Sequence, residues 1–461
     1  MRSLKDRIEG RRYRNMVMRH LAVTGLALAL FRIDSFAQTN APTSLAPPAR
    51  FVLSDPMAPS RDQGLELTLS ASEAYDRNNL TPALQTSSQN GVLTTPVYLK
   101  GGLHTRGQAS LNYSYGKQGV RSSFSANANS AMSAYSKSDR VLVTAGADIA
   151  EGLSLGPRTS IQATQTFSYA PFYNFALFQG SNQLQEANLV TSAIPNIDFA
   201  AVATQTYRYG LTSGLTHQMS KRSSLGFNYG VNYTDFGGIR GLIDQHAGVR
   251  YSQSLSQGLS LHLGYGHSIG DYAAIGVRPE THDIDIGVNY SKALSFSRRT
   301  TFGFSTGSTL MTGGSTASQA VTGRKDFRLT GSARLNHQIG RTWSARLSYV
   351  RGWNYVDGFT HPLFEDSATV GVGGEISQRV TAGASASYVY GKIGFSDQRY
   401  DSFSGSSVVR VAVSRVASVY AQYVFYRYQF PDPTALPPGF PSFFARNGAR
   451  VGFSLRLPLV R

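Results

Sequence analysis

From about residue 63 to residue 461, apolar and polar residues alternate in stretches about ten residues long, and small polar turns join one stretch to the next. In the final stretch Val451, Phe453, Leu455, Leu457 and Leu459 share one face, while Arg450, Gly452, Ser454 and Arg456 share the other. Successive side chains on a strand point to opposite sides, so each stretch has an oily face and a wet one. A sheet with lipid on one side and a water-filled lumen on the other needs this composition, and the pattern predicts an all-β, antiparallel, up-and-down transmembrane barrel. Strands are expected near 63–74, 104–115, 119–132, 141–150, 154–169, 202–217, 223–235, 246–256, 259–270, 283–292, 299–310, 325–338, 342–354, 367–376, 380–394, 403–413, 417–429 and 449–459. That makes about eighteen, an even number that leaves both ends of the barrel chain on one side.

Short connections fall at Lys117-Gln118-Gly119, Glu151-Gly152, Ser220-Lys221-Arg222, Ser256-Gln257-Gly258, Ser297-Arg298-Arg299, Gly340-Arg341, Ser377-Gln378-Arg379 and Ser414-Arg415. In this reading they alternate with long connections throughout, which places short turns in the periplasm and long loops outside. One hairpin echoes another: Leu215-Thr216-His217-Gln218-Met219 precedes a basic turn and Tyr229, as Leu335-Asn336-His337-Gln338-Ile339 precedes Tyr349. Residues 171–201 form the longest internal connection, apolar apart from Glu186 and Asp198, and are expected either to constrict the pore or to pack over its mouth. The Pro-rich stretch 431–441 reads as an external flap.

The strand and turn grammar of 215–229, repeated at 335–349 among strands rich in Tyr and Gly, resembles the outer-membrane β-barrel porins associated with exopolysaccharide secretion in Gram-negative bacteria. The resemblance spans roughly residues 63 to 461. It implies a place in the cell outer membrane among its lipids, insertion by the barrel assembly machinery, and a channel serving polymer export. It also implies a periplasmic polysaccharide-export protein as partner and an anionic polymer or small anions as cargo. The terminal aromatic that the assembly machinery reads in many such barrels has no counterpart in Leu459-Val460-Arg461.

Composition agrees with the barrel. Only 15% of the chain is charged, and Gly (46), Tyr (25) and Phe (25) are abundant. The apolar run Leu21–Phe31, preceded by Arg11, Arg12, Arg14 and Arg19, has the length of a signal-peptide core, with Ser35-Phe36-Ala37 as the cleavage site and Met16 or Met18 as an alternative start. Residues 1–37 are thus expected to be a signal peptide, 38–62 a flexible periplasmic lead-in and 63–461 the barrel. With no cysteine, the chain has neither disulfides nor thiol chemistry. Its formal charge of +17 is spread one or two residues per strand, unlike the patch or tail of a nucleic-acid binder.

Assigning each apolar face to lipid puts Arg121, Arg208, Arg250, Arg328, Arg334, Arg346, Arg410, Arg450 and Arg456 on the luminal face, with Glu66, Asp148, Asp285 and Glu375 as its acids. A net positive wall favours anions, whereas pairing of the same arginines with acids and turn carbonyls would only hold the wall together; both readings stand at this point. Arg351 and Arg427 fall on the lipid face near the outer rim, where snorkelling accommodates them. Tyr113, Tyr169, Tyr209, Tyr233, Tyr349, Tyr390 and Tyr423 recur near strand ends as interfacial girdles. Tyr420 and Tyr426 face the lumen, as stacking platforms for sugar rings or as filler. A hydrolase would draw on His246, His262, His267, His282 with Asp283 and Asp285, or His361, but no nucleophile motif accompanies them. A metal site at His282-Asp283-Asp285 is disfavoured because alternation sends His282 to the face opposite the two acids. The reading expects no enzyme activity, cofactor or metal: a passive, mildly anion-preferring channel, with a plugged surface-interaction barrel as its alternative.

Overall fold

The computed structural model of the protein describes residues 63–81, 101–116, 121–136, 140–171, 173–174, 200–202, 205–236, 242–256, 258–272, 278–294, 297–312, 325–355, 362–394, 398–431 and 441–460. The strands are β1 (Gln63–Thr81), β2 (Gly102–Tyr115), β3 (Ser122–Tyr135), β4 (Arg140–Gly156), β5 (Thr159–Ala170), β6 (Tyr173–Asn174), β7 (Ala200–Val202), β8 (Thr206–Gln218), β9 (Ser223–Phe236) and β10 (Leu242–Ser256). They continue as β11 (Leu259–Tyr272), β12 (Glu280–Leu294), β13 (Ser297–Thr312), β14 (Lys325–Ile339), β15 (Trp343–Asn354), β16 (Leu363–Ser377), β17 (Val380–Ile393), β18 (Arg399–Ala412), β19 (Ala417–Gln429) and β20 (Phe443–Val460). β6 and β7 pair only with each other. The remaining eighteen form one antiparallel sheet in which each strand pairs with the next and β20 returns to β1.

Closure removes both sheet edges, which lets a backbone cross hydrocarbon without orphaned N–H and C=O groups. The outward positions carry the oily residues: Leu261 and Leu263 on β11, Ile284 and Ile286 on β12, Phe327 and Leu329 on β14, and Val451 and Phe453 on β20 are all exposed. Left in water, such a belt would cost about 25 cal/mol per Å² of apolar surface, so its solvent is lipid. The chain is a transmembrane β-barrel.

Several turns share one local device. The Ser220 hydroxyl accepts the backbone N–H groups of Arg222 and Ser223, each at 3.1 Å, and Ser414 does the same for Val416 (3.3 Å) and Ala417 (3.0 Å). A serine that binds its own backbone two and three residues on closes a tight turn and leaves the following basic residues in water. Gly340, at φ 64°, supplies the left-handed residue of the turn at 340–342. The echoed hairpins also share a contact across to the preceding strand. Thr159 Oγ1 is hydrogen-bonded to His217 Nδ1 at 2.8 Å, and Thr300 Oγ1 to His337 Nδ1 at 2.7 Å.

Four expectations change. Glu151 and Gly152 lie inside β4, and the chain turns at Pro157-Arg158, where proline cannot donate to a continuing ladder. Ser297, Arg298 and Arg299 belong to β13 rather than to the turn before it. Long and short connections do not alternate strictly, because β3–β4 and β9–β10 are joined on the loop side by only residues 136–139 and 237–241. Finally, β1, β16 and β20 extend well beyond their predicted ends. The turn at Lys117-Gln118-Gly119, most of 171–201 and of the Pro-rich stretch, and all of residues 1–62 lie outside the described residues.

The facing of the wall has a direct check. With no native thiol, single cysteines at Asn228 and Arg334, exposed on the inward register, should react with a water-soluble maleimide in lipid vesicles, while cysteines at Phe227 and Leu329 should not. Reaction at 227 and 329 but not at 228 and 334 would mean a register slipped by one residue.

Candidate functional site: the luminal wall

Two ion pairs clasp the closing seam between β1 and β20 from the inside. Near the turn end Arg456 Nε lies 2.5 Å from Glu66 Oε1, bringing together two residues the sequence placed on the luminal face. Near the loop end Arg446 pairs with Asp76, and His104 Nδ1 of β2 approaches the same carboxylate at 3.3 Å while its ring stacks on Tyr135, centroids 4.7 Å apart. Gly448, opposite Asp76 in the register, leaves room for that carboxylate, since a Cβ there would collide with it. This second pair is almost wholly buried, with side chains 4% and 7% exposed.

The inward side has two contrasting arcs. Along β16–β20 and β1 the inward positions are buried and knit to each other: Thr369 with Ser387 (2.9 Å), Ser385 with Ser406 (3.0 Å), Ser418 with Ser454 (2.9 Å), and Arg410 Nε donating to Ser418 Oγ (2.9 Å). Tyr426 is fully buried, its ring 6.0 Å from Tyr428 and 5.9 Å from Phe444, and Tyr420 is buried as well. Neither presents a free face to a sugar, so both are filler. At the loop end of this arc Tyr400 donates to Glu365, as does Asn354 Nδ2 at 3.3 Å, and Tyr400 stacks on Phe430 at 5.2 Å. Along β4–β15, by contrast, inward residues such as Asp148, Asn228 and Arg334 are exposed. A recess of about 390 Å³ in this arc is lined by Asn228, Arg250, Asp283 and Thr309 over Gly248, Gly264 and Gly266.

The sequence-predicted residues distribute as follows. Arg208, Arg250, Arg334, Arg346, Arg410, Arg450 and Arg456 occupy the inward register with Glu66, Asp148 and Glu375, and Arg346 Nε donates to Asn336 Oδ1 at 3.1 Å. Arg121 sits immediately before β3, at the turn end. The backbone of Asp285 pairs with Gly264. Arg328 binds Asp326 at 2.7 Å, and its guanidinium lies 4.5 Å from the Phe364 ring and 5.3 Å from the Trp353 ring. It stands where β14–β15 pairing ends at Gly331↔Arg351, in a cleft of about 660 Å³ that includes Leu329, Tyr349, Arg351 and Lys392. Arg351 itself pairs with Asp366 at 3.4 Å, and Arg427 donates to Gln429 at 2.7 Å. Among the girdle tyrosines, Tyr113 packs on Phe124, Tyr169 on Tyr207, Tyr349 donates to Asp366, and Tyr423 donates to Asn447 at 3.1 Å. Tyr209, Tyr233 and Tyr390 share the outward register of their strands.

The histidines go to different places. His246 lies inward over Gly230, where a side chain would clash with its ring. His262 Nε2 reaches the Thr306 carbonyl at 3.2 Å, at the stretch where β12 and β13 lose their pairing between Ile284 and Tyr290. His267 and His282 stack on each other on the outward face. His361 lies outside the described residues.

Sequence reasoning missed Asp76, Asp244, Asp326, Glu365 and Arg446 in the wall, together with His104 and Arg106. Asp76, Asp244, Glu365 and Arg446 lie beyond the predicted ends of their strands; carrying the alternation onward past those ends would have found them. The longer strands change the charge pattern. Toward the loops the inward register carries Asp76, Asp244, Asp283, Asp326 and Glu365, with Arg106, Arg208, Arg328 and Arg446; toward the turns it carries Arg250, Arg334, Arg346, Arg410 and Arg456, with Glu66 and Glu375. Tyr355, just past β15, sits at the loop end: its hydroxyl donates to Thr281 Oγ1 at 3.2 Å and it packs on Leu242. Burial first, then Asp244, Asp283 and Glu280 nearby, hold this phenol above its ordinary pKa and therefore neutral.

No protein-family model matches the chain, and no curated protein does. Among solved structures it is similar to OpdL of Pseudomonas aeruginosa, at 10% identity over 87% of this chain and 99% of that one, with a TM-score of 0.42. It is likewise similar to OccAB4 of Acinetobacter baumannii, at 11% identity over 87% of this chain and 100% of that one, with a TM-score of 0.40.

Proposed function

We propose that the barrel is a passive channel that moves anions outward, with an exported anionic exopolysaccharide as its cargo and a periplasmic polysaccharide-export protein at its turn side. The observation that carries this reading is the axial gradient of charge: net basic toward the turns, close to balance toward the loops. A cationic wall at the periplasmic end concentrates anionic groups by lowering the barrier to their approach, and an outer end close to charge balance does not retain them. An eighteen-stranded barrel has the girth for an aqueous lumen, and the exposed inward residues of β4–β15 support water there. The polymer itself rests on the sequence resemblance.

A second reading, a barrel closed to solutes whose outer loops do the work, draws on the buried arc of β16–β20. Planar-bilayer recordings separate the two. Open channels whose current rectifies, with anions favoured from the turn side, are expected at low salt; silence from a correctly folded barrel would favour the closed reading.

A further inference from the structure

We infer that the outer rim of this barrel carries a binding site for a divalent transition-metal ion, formed by His267 of β11 with Glu280 and His282 of β12. The cross-strand register sets His267 opposite His282 and Ile269 opposite Glu280, so all three residues share the outward face. Their ligand atoms lie within 4.8 Å of one another, and among the described residues no other group of three such side chains comes as close. A tetrahedral ion with bonds of about 2.0–2.1 Å needs its ligands roughly 3.3 Å apart, within reach of small side-chain rotations.

Three details favour a ligand over a chance cluster. The two imidazoles stack at 4.7 Å with planes 19° apart, which holds both rings side by side. His267 Nε2 is buried, makes no hydrogen bond, and lies 3.8 Å from Glu280 Oε2. His282 Nδ1 is hydrogen-bonded to the Tyr265 hydroxyl at 2.7 Å, which fixes the ring and leaves Nε2 for a metal, as outer-shell partners do in known sites. Two imidazoles and a carboxylate suit zinc, copper or nickel rather than calcium or magnesium.

The site stands where the outward face changes character. Leu261, Leu263 and Tyr265 precede His267 on β11, and Ile286 and Ile284 lead to His282 and Glu280 on β12, so the cluster begins where the oily belt ends. Ions reach it from water, and one bound there would pin the two strands at the base of the connection 273–279. His282 points away from Asp283 on its own strand, so its partner imidazole, His267, comes from the neighbouring strand.

The test uses the full barrel in detergent, stripped with chelator and titrated with zinc alone. One zinc per chain should bind, with a rise in the thermal unfolding midpoint by mass action. His267→Gln and His282→Gln should each weaken binding by more than about ten-fold and Glu280→Gln by less, whereas inward-facing His246→Gln should leave it unchanged. Heat-modifiable gel mobility identifies the folded fraction of each variant. Copper(II) spin resonance of the unaltered protein should show two nitrogen donors, a readout that needs no variant. Zinc uptake equal in the parent and the folded double variant His267→Gln/His282→Gln, or a copper spectrum without nitrogen coupling, would overturn the proposal.

Discussion

Replacing Asp76 with Ala, or Arg446 with Met, should destabilise the folded barrel by about 3–5 kcal/mol in equilibrium urea unfolding, because each change leaves a buried charge without its partner. The pair sits inside the β1–β20 seam, nearly free of solvent, and His104 shares the same carboxylate. Loss of the acid therefore strips two neighbours at once. A double variant, Asp76→Asn with Arg446→Gln, should recover part of the loss, since the cost lies in the uncompensated charge rather than in the missing contact. Glu66→Gln should cost far less: its pair with Arg456 is partly solvated, the side chains being 16% and 22% exposed, and solvent screens it. Single variants at 76 and 446 that unfold within about 0.5 kcal/mol of the parent would show that the seam does not depend on this clasp.

Substituting Gln at Arg250, Arg334 and Arg346 together should shift the reversal potential toward cations and flatten the rectification while the barrel still folds. These three arginines occupy the inward register of the more open arc, and glutamine keeps a donor for Asn336 at position 346. Arg410 is left out because it is buried against Ser418, and its substitution should change stability instead of selectivity. The effect should be largest near 0.1 M salt, where the Debye length is about 10 Å, and shrink near 1 M, where it is about 3 Å. Unchanged selectivity at low salt would mean that these side chains are neutralised within the wall. In that case the charge gradient along the axis would not act on the solute.

The sequence by itself determined the strand number, the antiparallel order and the facing of each strand within the bilayer. These follow from a period of two that any ten-residue window displays, and from lipid, which demands an apolar residue at every second position. It also determined the serine turns, because the Ser220 and Ser414 hydroxyls bind backbone only two or three residues away. Where a strand leaves the lipid that demand lapses. Tyr75-Asp76-Arg77-Asn78 and Arg446-Asn447 carry no apolar rhythm, so their membership of β1 and β20 was not legible, nor was that of Leu363–Asp366 in β16. Only the tertiary structure decided what meets there. Asp76 and Arg446 lie 370 residues apart and become neighbours through closure of the barrel. His267 and Glu280 become neighbours through the cross-strand register, and the acids and arginines of the outer end come together only when all the extended strands are laid side by side. Alternation is a local property of one chain segment, whereas register and closure are set by hydrogen bonds between segments, which no single stretch of sequence contains.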